Sequence, residues 1–238
     1  MRLSLERLMA AAGHELKTPT AALHNYLQLI DRNLTSGDVS EASTYTERAL
    51  SQVRRLAALI ERLLDVSRIQ SGQLELVRDV IDLPAVVRSA VEVAQVLPKA
   101  PPIRVRAPRD PVRVRADPDR LEQVFLNLFS NAMEHAPTSA TIDVTIKVAG
   151  GFAEVAVRDH GAGIAAKDIR TMFEAYTRLG QPHRAPGLGL GLYVAREIVT
   201  AHGGEIEAAA RIGKGTVMTV RLPLADRRAR RPATATRG

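Results

Sequence analysis

The chain has 238 residues, 45% of them apolar and 25% charged, which fits one large or two small globular domains. It has no cysteine, which excludes disulfides and thiolate metal sites and is compatible with a reducing compartment; nor does it show an apolar run long enough to span a membrane as a helix, or a signal peptide. The net charge is +7 and Arg outnumbers Lys 28 to 5, but aromatics are only 3% and much of the excess lies in the tail "DRRARRPATATRG", so base-stacking platforms are lacking and no nucleic-acid partner is expected.

Residues 3 to 33 read as one long helix, with Leu8, Ala12, Leu16, Leu23, Leu27 and Ile30 at helical steps. The polar cluster "NLTSGDVS" reads as a turn. A second helix spans 40 to 70, where Ala49, Val53, Leu56, Ile60 and Leu63 keep a coiled-coil-like spacing, and Gly72 in "QSGQ" caps its end. A lone helical hairpin buries such stripes poorly, whereas two copies bury them as an antiparallel four-helix bundle. A homodimer is therefore expected; the alternative is a hairpin packed on the rest of its own chain.

From residue 74 the pattern changes. "LELVRDVIDL" suggests a strand, followed by a helix from Pro84 to Leu97. Prolines then punctuate a connector holding the short strand "IRVRA", and "VRVRA" is another strand. "DPDRLEQVFLNLFSNAMEHA" reads as a helix capped by Asp117, with Pro118 in its first turn and Leu121, Val124, Phe125, Leu128 and Ala132 on its apolar face. "ATIDVTIKVA" and "FAEVAVRD" are strands around a Gly-Gly turn. A glycine-rich stretch, a helix from Leu190 to His202 and the hairpin "GEIEAAARIGKGTVMTVRLPL" complete this half. Strands and helices mix without regular βαβ alternation, so the expected fold class is an α helical hairpin followed by an α+β sandwich. The expected domains are 1–72, 73–225 and a disordered basic tail, 226–238.

Several stretches carry candidate chemistry. In "GHELKTP" a titratable pair, His14 and Glu15, sits in a helix with Pro19 just beyond. A His-Glu-x-x-His zinc site would need a second histidine where Thr18 stands. "RDHGAGI" puts Asp159 at a strand end before alternate glycines, and "APGLGLGLYVAREIV" opens a helix with Gly187, Gly189 and Gly191. Such glycines let backbone N–H groups approach a ligand, and a helix N-terminus favours an anion; turns use glycine too. Asn127 and Asn131 share one face of their helix. They suit a surface, or a hard cation such as Mg2+ held through few protein ligands and phosphates.

Taken together, these residues resemble the sensor histidine kinases of two-component signalling, over nearly the whole chain. "GHELKTP" resembles the H box, "LEQVFLNLFSNAMEHA" the N box, "DHGAGI" the G1 box and "MFEAYTRLG" the F box. "GLGLGL" is similar to the G2 box and "GKGTVMTVRLP" to the closing glycine-threonine motif. Six motifs in the family's order make the resemblance specific. It implies a dimerisation and phosphotransfer hairpin followed by a Bergerat-type ATP-binding domain.

By that resemblance His14 is the phosphoacceptor, Glu15 its general base, and Thr18 positions water for dephosphorylating a response regulator. Asp159 receives the adenine amino group, and Gly161 and Gly163 let the ring approach. Asn131, helped by Asn127, binds Mg2+. His135, Ile164, Arg178, Gly187, Gly189, Leu190, Gly191 and Thr216 complete the ATP site, with residues 167 to 186 as a mobile lid. Departures from the family are Glu134 where a basic residue is usual, Leu188 where Ser or Thr is common, and Gly13 where serine is frequent.

The resemblance implies autophosphorylation of His14 from ATP, then transfer to an aspartate of a response regulator receiver domain. It also implies a homodimer, a sensor or input domain outside this chain, and a cytoplasmic location, including that of the cytosolic part of a membrane-bound receptor. One alternative is a phosphatase-dominant regulatory module. Another is a plain ATPase, against which Asn127 argues, because an amide cannot be a general base.

Overall fold

The structure is a computed structural model that describes residues 5–96, 100–135, 141–177, 188–210 and 212–225, with backbone alone for 5–11 and His14. The basic tail read as disordered lies outside the described residues. The chain divides into two compact units: Met1–Leu74 with Glu174–Val194, and Glu75–Phe173 with Ala195–Gly238.

The first unit holds the expected hairpin, α1 (Leu5–Ser36) and α2 (Val39–Gln70). The turn is shorter than the polar cluster suggested. Asn33, Thr35 and Ser36 stay helical because their side chains donate back to the carbonyls of Leu29, Asp31 and Asn33 at 2.9, 2.9 and 3.1 Å. Gly37, at φ +81°, makes the reversal. Asp38 caps α2, its Oδ1 accepting the Glu41 N–H at 3.0 Å. Gly72 ends α2 at φ +69°, as its position in the sequence suggested.

Small residues close the hairpin: Ala12, Ala42 and Ala49 are buried, with Leu59 and Val66. Tyr26 stacks on Tyr45 with ring centroids 6.3 Å apart. One hairpin does not cover the whole stripe. Leu27, Leu34, Leu50, Val53, Ile60 and Leu64 each remain 45–57% exposed.

The second unit is the α+β sandwich. Its elements are β1 (Asp79–Asp82), α3 (Leu83–Gln95), β2 (Ile103–Arg106), β3 (Arg113–Ala116), α4 (Pro118–His135), β4 (Ile142–Ala149), β5 (Phe152–Arg158), α5 (Ala166–Ile169), the end of α6 (Gly191–Ala201), β6 (Glu205–Ala210) and β7 (Thr216–Pro223). The strand expected over 74–83 shrinks to β1, which pairs antiparallel with β3. The sequence reading missed α5, whose four residues are too few to show periodicity.

The main sheet has the order β2-β4-β5-β7-β6. β2 runs parallel to β4, and every other pair is antiparallel. Gly150 and Gly151, at φ +57° and +83°, form the tight turn between β4 and β5. Alternation puts Ile142, Val144, Val155, Val157, Met218 and Val220 on the buried face. Against the sheet and α3 lie Leu121, Val124, Phe125, Leu128 and Ala132 of α4, the predicted face, all fully buried.

One polar node ties the unit together. The buried Asp117 caps α4 through Oδ1, accepting the Arg120 N–H at 3.1 Å, and through Oδ2 accepts the Val77 N–H at 2.9 Å. Its own N–H donates to His202 Nε2 at 3.0 Å, and His202 Nδ1 donates to the Ile198 carbonyl at 2.8 Å. That pairing specifies a neutral imidazole in one tautomer. Burial holds its pKa below the ordinary histidine value, and Arg78 adds to this; the Ile198 carbonyl and Asp117 oppose it.

The sign of the pH dependence follows. The unfolded imidazole takes a proton at the ordinary value, about 6.5, while the folded one resists until a lower pH. The contribution of His202 is complete above that value and declines as pH falls below it toward the folded pKa. Thermal melts should therefore show a lower Tm at about pH 5.5 than at about pH 7.5. His202→Gln, whose amide oxygen can still accept the Asp117 N–H, should reduce that difference; an unchanged difference would assign it to other groups.

Candidate functional site

In the first unit, His14, Glu15 and Thr18 lie in one helical stretch of α1, with Thr18 one turn beyond His14. The His14 side chain lies outside the described residues. Glu15 is half-buried, with Oε2 4.0 Å from Nη2 of Arg55 on α2, the outer reach of an ion pair. Arg55 is a neighbour that the sequence reading did not find, because the pair crosses between helices. Pro19 is inside α1 and buried. It has no N–H, so it cannot itself donate to the Glu15 carbonyl four residues back. Thr18 is exposed, open to a solvent-borne partner.

In the second unit, a buried carboxylate organises the site. Asp159 follows β5 directly and is 2% exposed. Its N–H donates to the Thr216 carbonyl at 2.9 Å, extending the β5–β7 ladder by one rung. Its Oδ1 accepts the N–H of Gly161 at 2.8 Å and that of Thr216 at 3.0 Å. Both donors use the same oxygen. Among the described residues no hydrogen bond reaches Oδ2, which stays available as an acceptor.

Glycines permit this packing. A Cβ on Gly161 would lie 2.2 Å from the carbonyl oxygen of His135, and one on Gly215 would lie 2.1 Å from the carbonyl oxygen of Asp159. Gly163 is left-handed at φ +73°, with half-buried Ile164 beside it. Gly213 donates to the Ala162 carbonyl at 2.7 Å, binding the β6–β7 turn to the glycine loop. Thr216 thus contributes through its backbone, and His135 meets Gly161 through its carbonyl while its side chain is exposed. Gly215 was missed, although "GKGT" was in view and glycine before a buried threonine is its signal.

Asn127 and Asn131 sit one turn apart on α4, both half-buried. Asn127 Nδ2 is fully shielded and has no hydrogen-bond partner among the described residues. An unpaired buried amide is costly. As drawn it can donate to a phosphate oxygen; turned over, it offers oxygen to a hard cation. The donor set therefore fits a metal-bound phosphate. Glu134, the departure in this motif, is exposed.

The glycine stretch before α6 falls in the first unit and is described by itself. Gly189 is left-handed at φ +64°, and its carbonyl accepts the Tyr176 N–H at 3.1 Å. Leu188 and Leu190 are buried, so the Leu188 departure places a buried apolar side chain in this stretch. The Leu190 carbonyl accepts the Val194 N–H at 2.9 Å, and α6 begins at Gly191. The first N–H groups of such a helix have no internal partners and favour an anion. Arg178, Gly187 and the lid from 178 onward lie outside the described residues.

Comparison with known proteins agrees with this anatomy. Residues 4–72 match the His Kinase A (phospho-acceptor) domain, and residues 116–226 match the histidine kinase-, DNA gyrase B- and HSP90-like ATPase family. The chain is 32% identical over 221 residues to the histidine protein kinase DivJ of Caulobacter vibrioides, covering 92% of this chain and 37% of DivJ. It is 33% identical over 234 residues to the sensor histidine kinase TrcS of Mycobacterium tuberculosis, covering 94% of this chain and 45% of TrcS. The chain thus spans well under two thirds of these relatives. The histidine kinase AdeS of Acinetobacter baumannii has the same fold, with a TM-score of 0.67 at 24% identity over 90% of this chain and 98% of that one.

The Gly161–His135 contact is testable. A Gly161→Ala substitution must push the end of α4 or the glycine loop aside, an overpacking cost of about 1–3 kcal/mol. Chemical denaturation should show a lower midpoint for this variant; an unchanged midpoint would mean that the contact yields freely.

Proposed function

Because the chain belongs to the histidine kinases, carrying their phospho-acceptor and ATPase-type domains, we propose that it autophosphorylates His14 from ATP and passes the phosphoryl group to an aspartate of a response regulator. The observation that carries this reading is the buried Asp159, with Oδ1 immobilised by two backbone N–H groups and Oδ2 left as acceptor. A carboxylate so held accepts from the amino group of adenine and disfavours the carbonyl of guanine.

The roles follow residue by residue. Gly161, Gly163 and Ile164 shape the adenine contact, and Thr216 holds Asp159. Gly187, Gly189, Leu190 and Gly191 with the start of α6 receive phosphate, assisted by Arg178; His135 closes the pocket through its carbonyl. Asn131 and Asn127 would hold Mg2+, which when bound neutralises charge on the phosphate oxygens. A nitrogen of His14 attacks the γ-phosphorus as the bond to the β–γ bridging oxygen breaks and ADP departs. Glu15 takes the imidazole proton, and Arg55 steadies its carboxylate. Asn127 stands where an ATPase needs a base, and an amide cannot serve as one.

The exposed stripe from Leu27 to Leu64 supports a homodimer, in which a second hairpin covers it. The reading includes an input domain outside this chain and a cytoplasmic setting, as in membrane-anchored receptors. Among the described residues no helix is long and apolar enough to cross a membrane. Exposed Thr18, one turn from His14, supports hydrolysis of the response regulator's aspartyl phosphate, with water as the attacking group and phosphate released, as a second activity of the same helix; a phosphatase-dominant module is the alternative reading.

Incubation with γ-labelled ATP and Mg2+ should give acid-labile, base-stable label that is absent in His14→Gln. Measurable ATP binding without label would shift the weight to the phosphatase-dominant reading. Asp159→Asn turns an amide donor toward the adenine amino group, and ATP affinity should fall by at least about tenfold in titration calorimetry; retained affinity would remove Asp159 from the adenine contact.

A further inference from the structure

Tyr176 stands outside the residues assigned above and carries two unfavourable features at once. Its backbone is left-handed at φ +64°, the one such non-glycine among the described residues. A Cβ crowds the neighbouring carbonyl in that conformation, so a bulky residue adopts it only when its surroundings impose it. Its hydroxyl is fully shielded and has no hydrogen-bond partner among the described residues. A phenol taken out of water ordinarily finds one.

The neighbours indicate where a partner would come from. The Tyr176 N–H donates to the Gly189 carbonyl at 3.1 Å, and a Cβ on Gly189 would lie 2.6 Å from the carbonyl oxygen of Thr177. Residues 176–177 and the glycine stretch are thus pinned backbone to backbone, and neither shifts without the other. Burial raises the phenol's pKa above its ordinary range, and Tyr193, in the first turn of α6, adds to this. The hydroxyl is therefore a neutral donor, on a residue whose own N–H is tied to the glycine stretch. Tyr26 and Tyr45, the other described tyrosine pair, have ordinary helical backbones. A glycine at 176 would relieve the strain; a tyrosine brings a proton donor to the glycine stretch instead.

Resting on the reading of that stretch as a phosphate cradle, we propose that Tyr176 is a phosphate-contacting residue, its hydroxyl donating to a phosphate oxygen of the ATP held at Gly189–Gly191. That oxygen is the acceptor that the described residues do not provide. The backbone bond to Gly189 gives the contact its geometry, because the residue that aims the donor also sets the cradle. The strain at φ +64° is the conformational cost of that aim.

The test is Tyr176→Phe in the full chain, which keeps the ring and the backbone bond and removes only the donor. Thermal melts without nucleotide should show a Tm equal to or above wild type, since an unpaired buried hydroxyl is lost. ATP affinity should fall about tenfold, the effect of one hydrogen bond to a charged acceptor. Adenosine, which has no phosphate, should bind both proteins equally in ligand-observed NMR. Unchanged ATP affinity would overturn the assignment, as would equal losses for ATP and adenosine, which mark a role in shape alone. A wild type that binds neither ligand would remove the nucleotide reading itself, a failure visible before the variant is made.

Discussion

The pair of backbone N–H groups on Asp159 Oδ1 is the contact on which the proposed nucleotide site depends. One comes from the glycine loop and the other from the start of β7. The carboxylate therefore joins two segments 57 positions apart in sequence. It is buried, and a buried carboxylate needs such donors, because stripping it of water without them would cost far more than folding supplies. Gly161 and Gly215 follow from this, since a side chain at either would occupy the space of a backbone carbonyl.

The same logic runs through the second unit. Asp117 uses both its oxygens and its N–H, and His202 completes it, so a cap on α4 is also a tie to the segment at Val77 and to the end of α6. Fully satisfied polar nodes hold the sandwich in one arrangement. Among the described residues three buried polar atoms have no hydrogen-bond partner: Arg221 Nε, which lies 3.2 Å from Oε1 of Glu154, the Asn127 amide on α4 and the Tyr176 hydroxyl before the glycine stretch. The last two stand where the proposed ligand would contribute.

The hairpin obeys a different constraint. It relies on apolar contact between α1 and α2, with small residues at the crossing. The residues proposed for its chemistry, His14, Glu15 and Thr18, sit on one helical stretch and are neighbours along it. What the tertiary structure adds is Arg55, brought from α2 to Glu15. Pro19 sits inside α1 without ending the helix, because neighbouring turns carry α1 through to Ser36.

Local order was legible in the sequence for a physical reason. Helical periodicity gave α1, α2 and α4 nearly to their ends, and the buried face of α4 was correct residue by residue, because burial at helical spacing is a one-dimensional pattern. The motif residues Asp159, Asn127 and Gly189 were legible for their types and positions. The strand order, with β2 parallel to β4 at one edge, was not, since pairing between distant strands leaves no local mark. Nor were the polar ends of the main turn, where Thr35 and Ser36 chose back-bonding to the helix over leaving it. His202 read as an unremarkable residue before two glycines, and only the fold put Asp117 against it. Tyr176 read as one aromatic in a motif; its left-handed backbone and stranded hydroxyl exist only once Gly189 is packed against it. The sequence by itself determined which groups could do chemistry and which segments would be helix or strand, because those depend on neighbours along the chain. The tertiary structure alone decided which polar groups find partners and which are left for a ligand, because that depends on neighbours in space.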